Sequence, residues 1–430
     1  MRIAFVKSHI PIQWQSCVSI FANLKSAYSL LEPNHLEVSS SYDYQENLAT
    51  VRRIREICAD TIIFAGYIAE HFKELVEAIT KEFALDKNKP SLVFHLYGNF
   101  SIEPNTWLLI NNHIQKYPCR FVCASRRQAN LVRSFMHPFA AISVESCSFP
   151  VNTKAFYFDP KARKRIRDRM NWGNDFIILY TGRITPQKNV VPMLEDICEN
   201  FLSKGKKARI ILAGTFDTMT APLFKGGGKH GFSYQREYLD FLENIPSYQQ
   251  KRIQYLGHKS HSELQEIYNA ADTFVCWSTY HDEDFGMAPA EALATGLPSL
   301  LSSWGGFADF ERKNCQLTPV EITKRGIEIQ TTKFRSDLKL YFKQQKSLQR
   351  QRSIFAKEFA KSFSPLAIKK QLQTILLKPA LPFLGFSGKL QVHSRLINKD
   401  LGGWIYSEAS CKDPYYFLNY SHYTGQKNGK

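Results

Sequence analysis

Two carboxylates, Glu283 and Glu291, stand eight positions apart in the run Glu283-Asp284-Phe285-Gly286-Met287-Ala288-Pro289-Ala290-Glu291. Carboxylates accept hydrogen bonds from hydroxyls and balance cations. Gly286 admits a tight, positive-φ backbone. Ala288, Ala290, Ala292, Leu293 and Ala294 favour a helix that Gly296 and Pro298 end. Glu283 therefore belongs to a loop before a helix, and Glu291 lies about two turns into it. The start of such a helix suits an anion, because its first N–H groups are unpaired and its dipole is positive there. A second stretch, Tyr180-Thr181-Gly182-Arg183-Ile184-Thr185-Pro186-Gln187-Lys188-Asn189, ends a strand and precedes a helix. Gly182 lets a ligand approach the backbone, while Arg183 offers a planar fork and Lys188 a point charge, the two cation types suited to a pyrophosphate. Taken singly, the first stretch reads as two solvated carboxylates and the second as a surface loop.

Together they resemble the motifs of retaining glycosyltransferases of the GT-B fold, family 4. In that family the first Glu (here Glu283) meets hydroxyls of a donor sugar and the second (Glu291) holds the nucleotide ribose. Asp284 replaces the usual Gly, and Phe285, Gly286 and Met287 complete the donor loop. Gly182, Arg183 and Lys188 resemble the Gly-Arg…Lys element that neutralises the leaving diphosphate. Ser302-Ser303-Trp304-Gly305-Gly306-Phe307 resembles the loop facing the donor, where Gly305 and Gly306 amides can add phosphate contacts. Ile253-Gln254-Tyr255-Leu256-Gly257-His258 resembles the strand and loop whose backbone reads the base. Asp309 stands near an acidic residue that often follows the Gly-Gly loop, with capping an equal reading. His95, with Asn99 beyond it, resembles the position of a His against donor sugar and acceptor, although a lone His after a strand is also commonly structural. Two departures stand out: Ser8, His9 and Pro11 occupy the Lys7–Gln15 loop where the family has a Gly pair, and Phe149-Pro150-Val151-Asn152 lacks the Gly and Asp usual at the end of the first domain.

The resemblance implies that Arg183, Lys188 and helix N-termini stabilise charge growing on a departing nucleoside diphosphate. Glu283 and Glu291 would orient rather than transfer protons, with His95 joining them on the acceptor side. Attack on the face that the phosphate leaves would retain configuration, and the phosphate itself could take the acceptor proton. No cofactor and no metal are expected, since protein cations stand in for Mg²⁺.

These residues need a scaffold. Short apolar runs alternate with amphipathic ones: strands at 3–6, 61–65, 91–95, 120–124 and 140–144, helices at 16–31, 70–83, 106–116 and 126–135. The alternation restarts with strands at 176–181, 208–213, 252–256, 273–277 and 297–301 and helices at 190–202 and 262–270. Such alternation implies βαβ units and parallel sheets. The fold class expected is α/β, two Rossmann-like doubly wound domains facing a cleft. An acceptor-side domain would span 1–158 and a donor domain 159–354. A helix at 355–378 would return to the first domain, and an extra tail with nine aromatics, too many for simple disorder, would span 379–430. Lys225-Gly226-Gly227-Gly228-Lys229-His230-Gly231 lacks the context of a P-loop and reads as a flexible surface loop.

At 430 residues, 44% hydrophobic and 22% charged, the chain can bury two ordinary cores. Its nine scattered cysteines, without CxxC or metal spacing, read as reduced thiols of a cytoplasmic protein, and no apolar run reaches the length of a membrane helix. The net charge of +17 is uneven: residues 111–170 hold 12 Lys/Arg against 3 Asp/Glu, and residues 331–380 hold 12 against 2. Those blocks suggest an anionic membrane surface, and with it a peripheral location at the inner face of the membrane, polysaccharide biosynthesis, and a sugar, lipid-linked or glycoconjugate acceptor. Without interleaved aromatics or a nucleic-acid motif they argue against nucleic acid. The rival reading is a non-catalytic nucleotide-sugar-binding or scaffold protein on the same fold.

Overall fold

The computed structural model describes residues 1–7, 15–65, 72–96, 100–216, 228–323, 326–399 and 414–424. The expectations for Ser8, His9, Pro11, Asn99 and Lys225–Gly227 lie outside these residues. Two compact units form, the first from Met1–Pro150, Phe363–Leu401 and Leu418–Tyr423, the second chiefly from Val151–Ser362.

In the first unit, strands β1 (Ile3–Lys7), β2 (Leu36–Ser39), β3 (Thr61–Phe64), β4 (Ser91–Leu96), β5 (Pro118–Cys123) and β6 (Val144–Ser146) pair in parallel in the order β2-β1-β3-β4-β5-β6. That order reverses between β1 and β3, a doubly wound switch point. The central strands are apolar on both faces (Ile62, Ile63, Phe64, Val93, Phe94, Phe121 and Val122 are buried), as sheets covered by helices on both sides require. Register sets Phe64, Phe94 and Phe121 side by side, with stacked rings 4.6 and 5.4 Å apart.

The tail extends this aromatic row. Phe383 lies 5.1 Å and Phe386 5.9 Å from Phe121, and Leu381–Pro382 adds a short antiparallel strand to β5. The helix Pro365–Leu377 packs on the helix Gln15–Leu31, and Arg120 donates to the carbonyls of Lys378 and Pro379 beyond its end. The tail helix Gly388–Lys399 packs on Pro104–Ile114 and Arg126–Phe135.

In the second unit, β7 (Phe176–Thr181), β8 (Ala208–Ala213), β9 (Ile253–Tyr255), β10 (Thr273–Cys276), β11 (Ser299–Ser302) and β12 (Cys315–Thr318) form a parallel sheet ordered β12-β11-β10-β7-β8-β9. This is the dinucleotide-fold order, with its switch point between β7 and β10. Each unit is thus doubly wound.

The boundaries differ in instructive ways. The first unit ends at Pro150, not at 158. Beyond it Phe156 meets Tyr268 and His261 edge-on, and the Asp159 amide donates to Asn269, so that segment is already second-unit core. The helix Gln345–Phe363 belongs to the second unit almost to its end, where Arg352, Phe355 and Phe359 are buried. The strand expected at 140–144 is a 3₁₀ turn over Pro138–Ser143, and β6 begins at Val144. Gly228–Gly231, expected in a loop, opens the helix Gly228–Asn244.

The first basic block is partly paired within the fold. Arg163 and Arg167 pair with buried Asp272, Arg165 and Arg169 with Glu266, and Arg127 and Arg133 donate to backbone carbonyls. Asp272 and Glu266, distant in sequence, are adjacent in the fold and offset part of the block's charge, while the Arg165 and Arg169 side chains stay 52% and 58% exposed. In the second block Lys339, Lys343, Lys346, Arg350, Lys357 and Lys361 are exposed.

Candidate donor site of the second unit

The residues singled out in sequence converge beyond the carboxyl ends of β7, β10 and β11, where doubly wound sheets bind ligands. β7 delivers Gly182, whose φ of +136° suits glycine. Its carbonyl lies so close to Gly214 that a Cβ there would sit 1.9 Å away, so both loops need their small residues. The Tyr180 hydroxyl donates to the Arg183 carbonyl (2.6 Å) and fixes the turn. A 3₁₀ turn, Pro186–Lys188, follows, and Asn189 sits in the left-handed region at φ 49°. Its side-chain amide holds it there by donating to the Trp277 carbonyl and the Thr279 hydroxyl. The Thr279 amide donates in return to the Gln187 carbonyl at 3.0 Å. These bonds tie the loop after β7 to the loop after β10.

The tie brings Lys188 onto Glu283. The ammonium bonds the Glu283 carboxylate and the Ser278 hydroxyl (3.1 Å), Ser278 also donates to Glu283, and the Tyr280 ring centroid lies 5.6 Å from Nζ. Glu283 is 8% exposed, so carboxylate, ammonium and hydroxyl form a nearly dry cluster in which each charge has its counterpart. The loop around Glu283 is held through its backbone. The Gly306 amide donates to the Glu283 carbonyl (2.6 Å) and the Trp304 indole N–H to the Tyr280 carbonyl (2.5 Å). A Cβ on Gly306 would lie 2.0 Å from the Asp284 carbonyl oxygen. The Gly305-Gly306 segment therefore buttresses the Glu283 loop by close backbone approach. Asp284 and Phe285 are buried within that loop.

Gly286, at φ 89°, turns the chain into the helix Met287–Ala294, which no side chain caps. Its N-terminus keeps the positive dipole end available to an anion. On the second turn Glu291 is 5% exposed and accepts a long 3.4 Å bond from Tyr268, whose hydroxyl also meets Thr181 at 2.7 Å. Burial pushes the Glu291 carboxyl up to about 8. Arg352 anchors this helix from below. Fully buried, it donates to the carbonyls of Tyr268, Asn269, Ala271 and Thr295. These carbonyls end two helices, where a cation complements the dipole.

His95 stands on β4 of the first unit. It is 3% exposed, its Nε2 lies 2.7 Å from the Tyr28 hydroxyl, and its Nδ1 is buried without a partner. Burial lowers its pKa to about 3, so the imidazole is neutral. The segment after β4 is braced by the tail. The His393 Nε2 meets the Ser101 carbonyl, the Tyr420 hydroxyl meets the Ser101 hydroxyl, both at 2.7 Å, and Asn419 lies 3.2 Å from the other His393 nitrogen.

Ser278, Tyr268 and Arg352 lie outside the motifs of the sequence, and Thr181 and Asn189 stand within one of them without a role assigned there. Ser278 and Thr181 carry one usable signal, their position at or just past the end of a parallel strand. Arg352 carries none, because a buried Arg among Lys and Arg looks like surface charge. Among the described residues no three His, Cys, Asp or Glu side chains gather at metal-binding spacing, and no helix is long and apolar enough to cross a membrane.

Residues 162–317, which contain every second-unit residue named at this site but Arg352, match the family model described as glycosyl transferases group 1. An uncharacterized glycosyltransferase of Methanocaldococcus jannaschii is 28% identical over 136 residues, 31% of this chain and 28% of that protein. The lipopolysaccharide 1,2-N-acetylglucosaminetransferase of Salmonella typhimurium is 25% identical over 174 residues, 40% of this chain and 41% of that protein. The chain thus spans less than half the length of these curated relatives. Among solved structures, HepE of Anabaena in complex with UDP superposes with a TM-score of 0.64 at 15% identity, covering 87% of this chain and 99% of that one. HepE has also been solved with UDP-glucose.

Proposed function

We propose, from the GT-B fold that the chain shares with these structures and a glycosyltransferase match that falls on the donor site, that the protein transfers a sugar from a nucleotide sugar to an acceptor hydroxyl. The observation that carries this reading is the Lys188–Ser278–Glu283 cluster beside the uncapped helix of Glu291, at the switch point of the second sheet. UDP and UDP-glucose in HepE make a uridine donor the first to test.

In this mechanism the diphosphate seats against the N-terminus of Met287–Ala294, Arg183 and Lys188. The Lys188 ammonium, paired with Glu283 here, divides between that carboxylate and the phosphate as charge develops on the leaving oxygen. Glu283, steadied by Ser278, accepts from sugar hydroxyls and favours positive charge at the anomeric carbon. Glu291, kept neutral at pH 7 by its burial, meets the ribose diol with its carbonyl oxygen accepting and its O–H donating. Configuration is retained: the acceptor attacks the face from which the phosphate departs, and the departing phosphate takes the acceptor proton. Protein cations supply the electrostatic role, so transfer proceeds without a metal. His95, neutral, 3% exposed and bonded to Tyr28, fits a structural histidine of the first unit's core rather than a sugar-binding group. The exposed cations of 331–380 suit an anionic membrane carrying a lipid-linked acceptor.

The test is release of UDP from UDP-sugars, with and without chelator, by the wild type and by Lys188→Ala and Glu283→Ala. Both variants are expected to abolish release while keeping the wild-type circular dichroism. Wild-type-like turnover in either variant would overturn that residue's role. UDP binding without turnover in the wild type would favour a non-catalytic nucleotide-sugar-binding protein.

A further inference from the structure

A second site lies in the first unit. Beyond the carboxyl ends of β1 and β2 is a cavity of about 430 Å³. Its floor is Lys7, the last residue of β1, with the β2 residue beside it in register, Ser39, and the two that follow, Ser40 and Ser41. Its wall is one face of the helix Tyr44–Glu56, where Glu46, Thr50 and Arg53 follow at helical spacing. The opposite face of that helix, Leu48, Val51 and Ile54, is buried, so the wall is fixed by core packing.

Lys7 and Arg53 form no ion pair among the described residues, and both line the same space. The carboxylate facing Lys7 from β2, Glu37, is already engaged by Lys25 at 2.8 Å and lies 3.5 Å from His35. Glu46 stands at the exposed start of the helix. This open pocket thus combines an ammonium, a guanidinium fork and the hydroxyls of Ser39, Ser40, Ser41 and Thr50 with the carboxylates of Glu37 and Glu46. Two cations of complementary geometry suit a phosphate, and hydroxyls with carboxylates suit the ring hydroxyls of a sugar.

We propose that this cavity binds a phosphorylated sugar, the acceptor or the phosphate-bearing residue of a larger acceptor. The acceptor role rests on the glycosyltransferase reading, whereas the binding site stands on the first unit alone. Cations without hydroxyls would take any phosphate, and hydroxyls without cations would take any polyol. Both line the same pocket here.

The test is ligand-observed saturation-transfer NMR on the full chain with a panel of hexose 6-phosphates, the parent hexoses and inorganic phosphate, with UDP titrated separately. At least one hexose 6-phosphate is expected to bind more tightly than its hexose and than phosphate. Arg53→Gln and Lys7→Gln should each weaken it about 10-fold or more while leaving UDP affinity unchanged. Thr50→Val should weaken the sugar phosphate and spare inorganic phosphate. Binding that the Arg53 and Lys7 substitutions do not alter, no preference over inorganic phosphate, or no binding by any hexose phosphate at millimolar concentration would overturn the proposal. Failure of UDP to bind would count against the donor site alone.

Discussion

Replacing Glu291 by Gln should make the protein more stable at neutral and alkaline pH, and the gain should grow with pH. The carboxyl is 5% exposed, and burial pushes it from an ordinary 4.5 up to about 8. The folded state therefore holds this proton more tightly than the unfolded chain. Stability from the group is full below pH 4.5, declines as pH rises, and is lost by about pH 8, above which it levels off. At about 1.4 kcal/mol per pH unit, the whole span is worth roughly 5 kcal/mol. Gln has nearly the same shape, can accept from Tyr268, and carries no proton to lose, so the variant lacks this slope. For a unit of this size each kcal/mol moves the unfolding midpoint by about 2–4 °C. Thermal unfolding of both proteins at pH 5, 6, 7, 8 and 9 should show a difference that widens by about 3–6 °C per pH unit and stops widening above pH 8. Buried His95 and His393, lowered to about 3 and about 4, slope the other way. Their stability is present above 6.5 and lost as pH falls, and it is common to both proteins, so it cancels in the difference. Parallel pH profiles would refute the argument, because Glu291 would then ionise in the folded protein as it does in water.

Other consequences follow from single positions. Gly286→Ala places a Cβ 2.3 Å from the Phe307 ring at φ 89°; a cost of about 2–4 kcal/mol is expected, read as loss of UDP affinity in titration and a lower unfolding midpoint. Arg352→Met removes the donor to four helix-end carbonyls. Partly offset by no longer burying a charge, the loss should be about 3 kcal/mol, and an unchanged midpoint would contradict the anchoring role. Tyr420→Phe deletes the hydroxyl against Ser101 and should cost about 1 kcal/mol; hydrogen exchange should speed up over 100–103 and stay unchanged in the second unit.

The doubled α/β architecture was legible because strands buried on both faces read as unbroken apolar runs. Phe176–Thr181 and Ala208–Ala213 end where expected. β2 and the helix after it were not foreseen, since Leu36–Ser39 alternates on a sheet edge and Tyr44–Glu56 is mostly polar. Yet they build the cavity of the first unit. The candidate residues of the second unit were singled out by motif, and the fold brings Lys188, Glu283, Gly286 and Gly306 together. What joins them was not legible. Ser278, Asn189 and Arg352 act through contacts across 57 to 90 positions of sequence. The tail showed its aromatics but not their task, which is to extend the Phe64–Phe94–Phe121 row and brace Ser101.

The most direct measurement is saturation-transfer NMR of the purified full chain with UDP-, GDP- and ADP-sugars, without added metal, beside Lys188→Ala. One nucleotide sugar is expected to receive saturation at its ribose and sugar protons, and the Lys188 substitution to remove it. Equal signals from the wild type and the variant, or none from any donor, would contradict a donor site built on Lys188, Glu283 and Glu291.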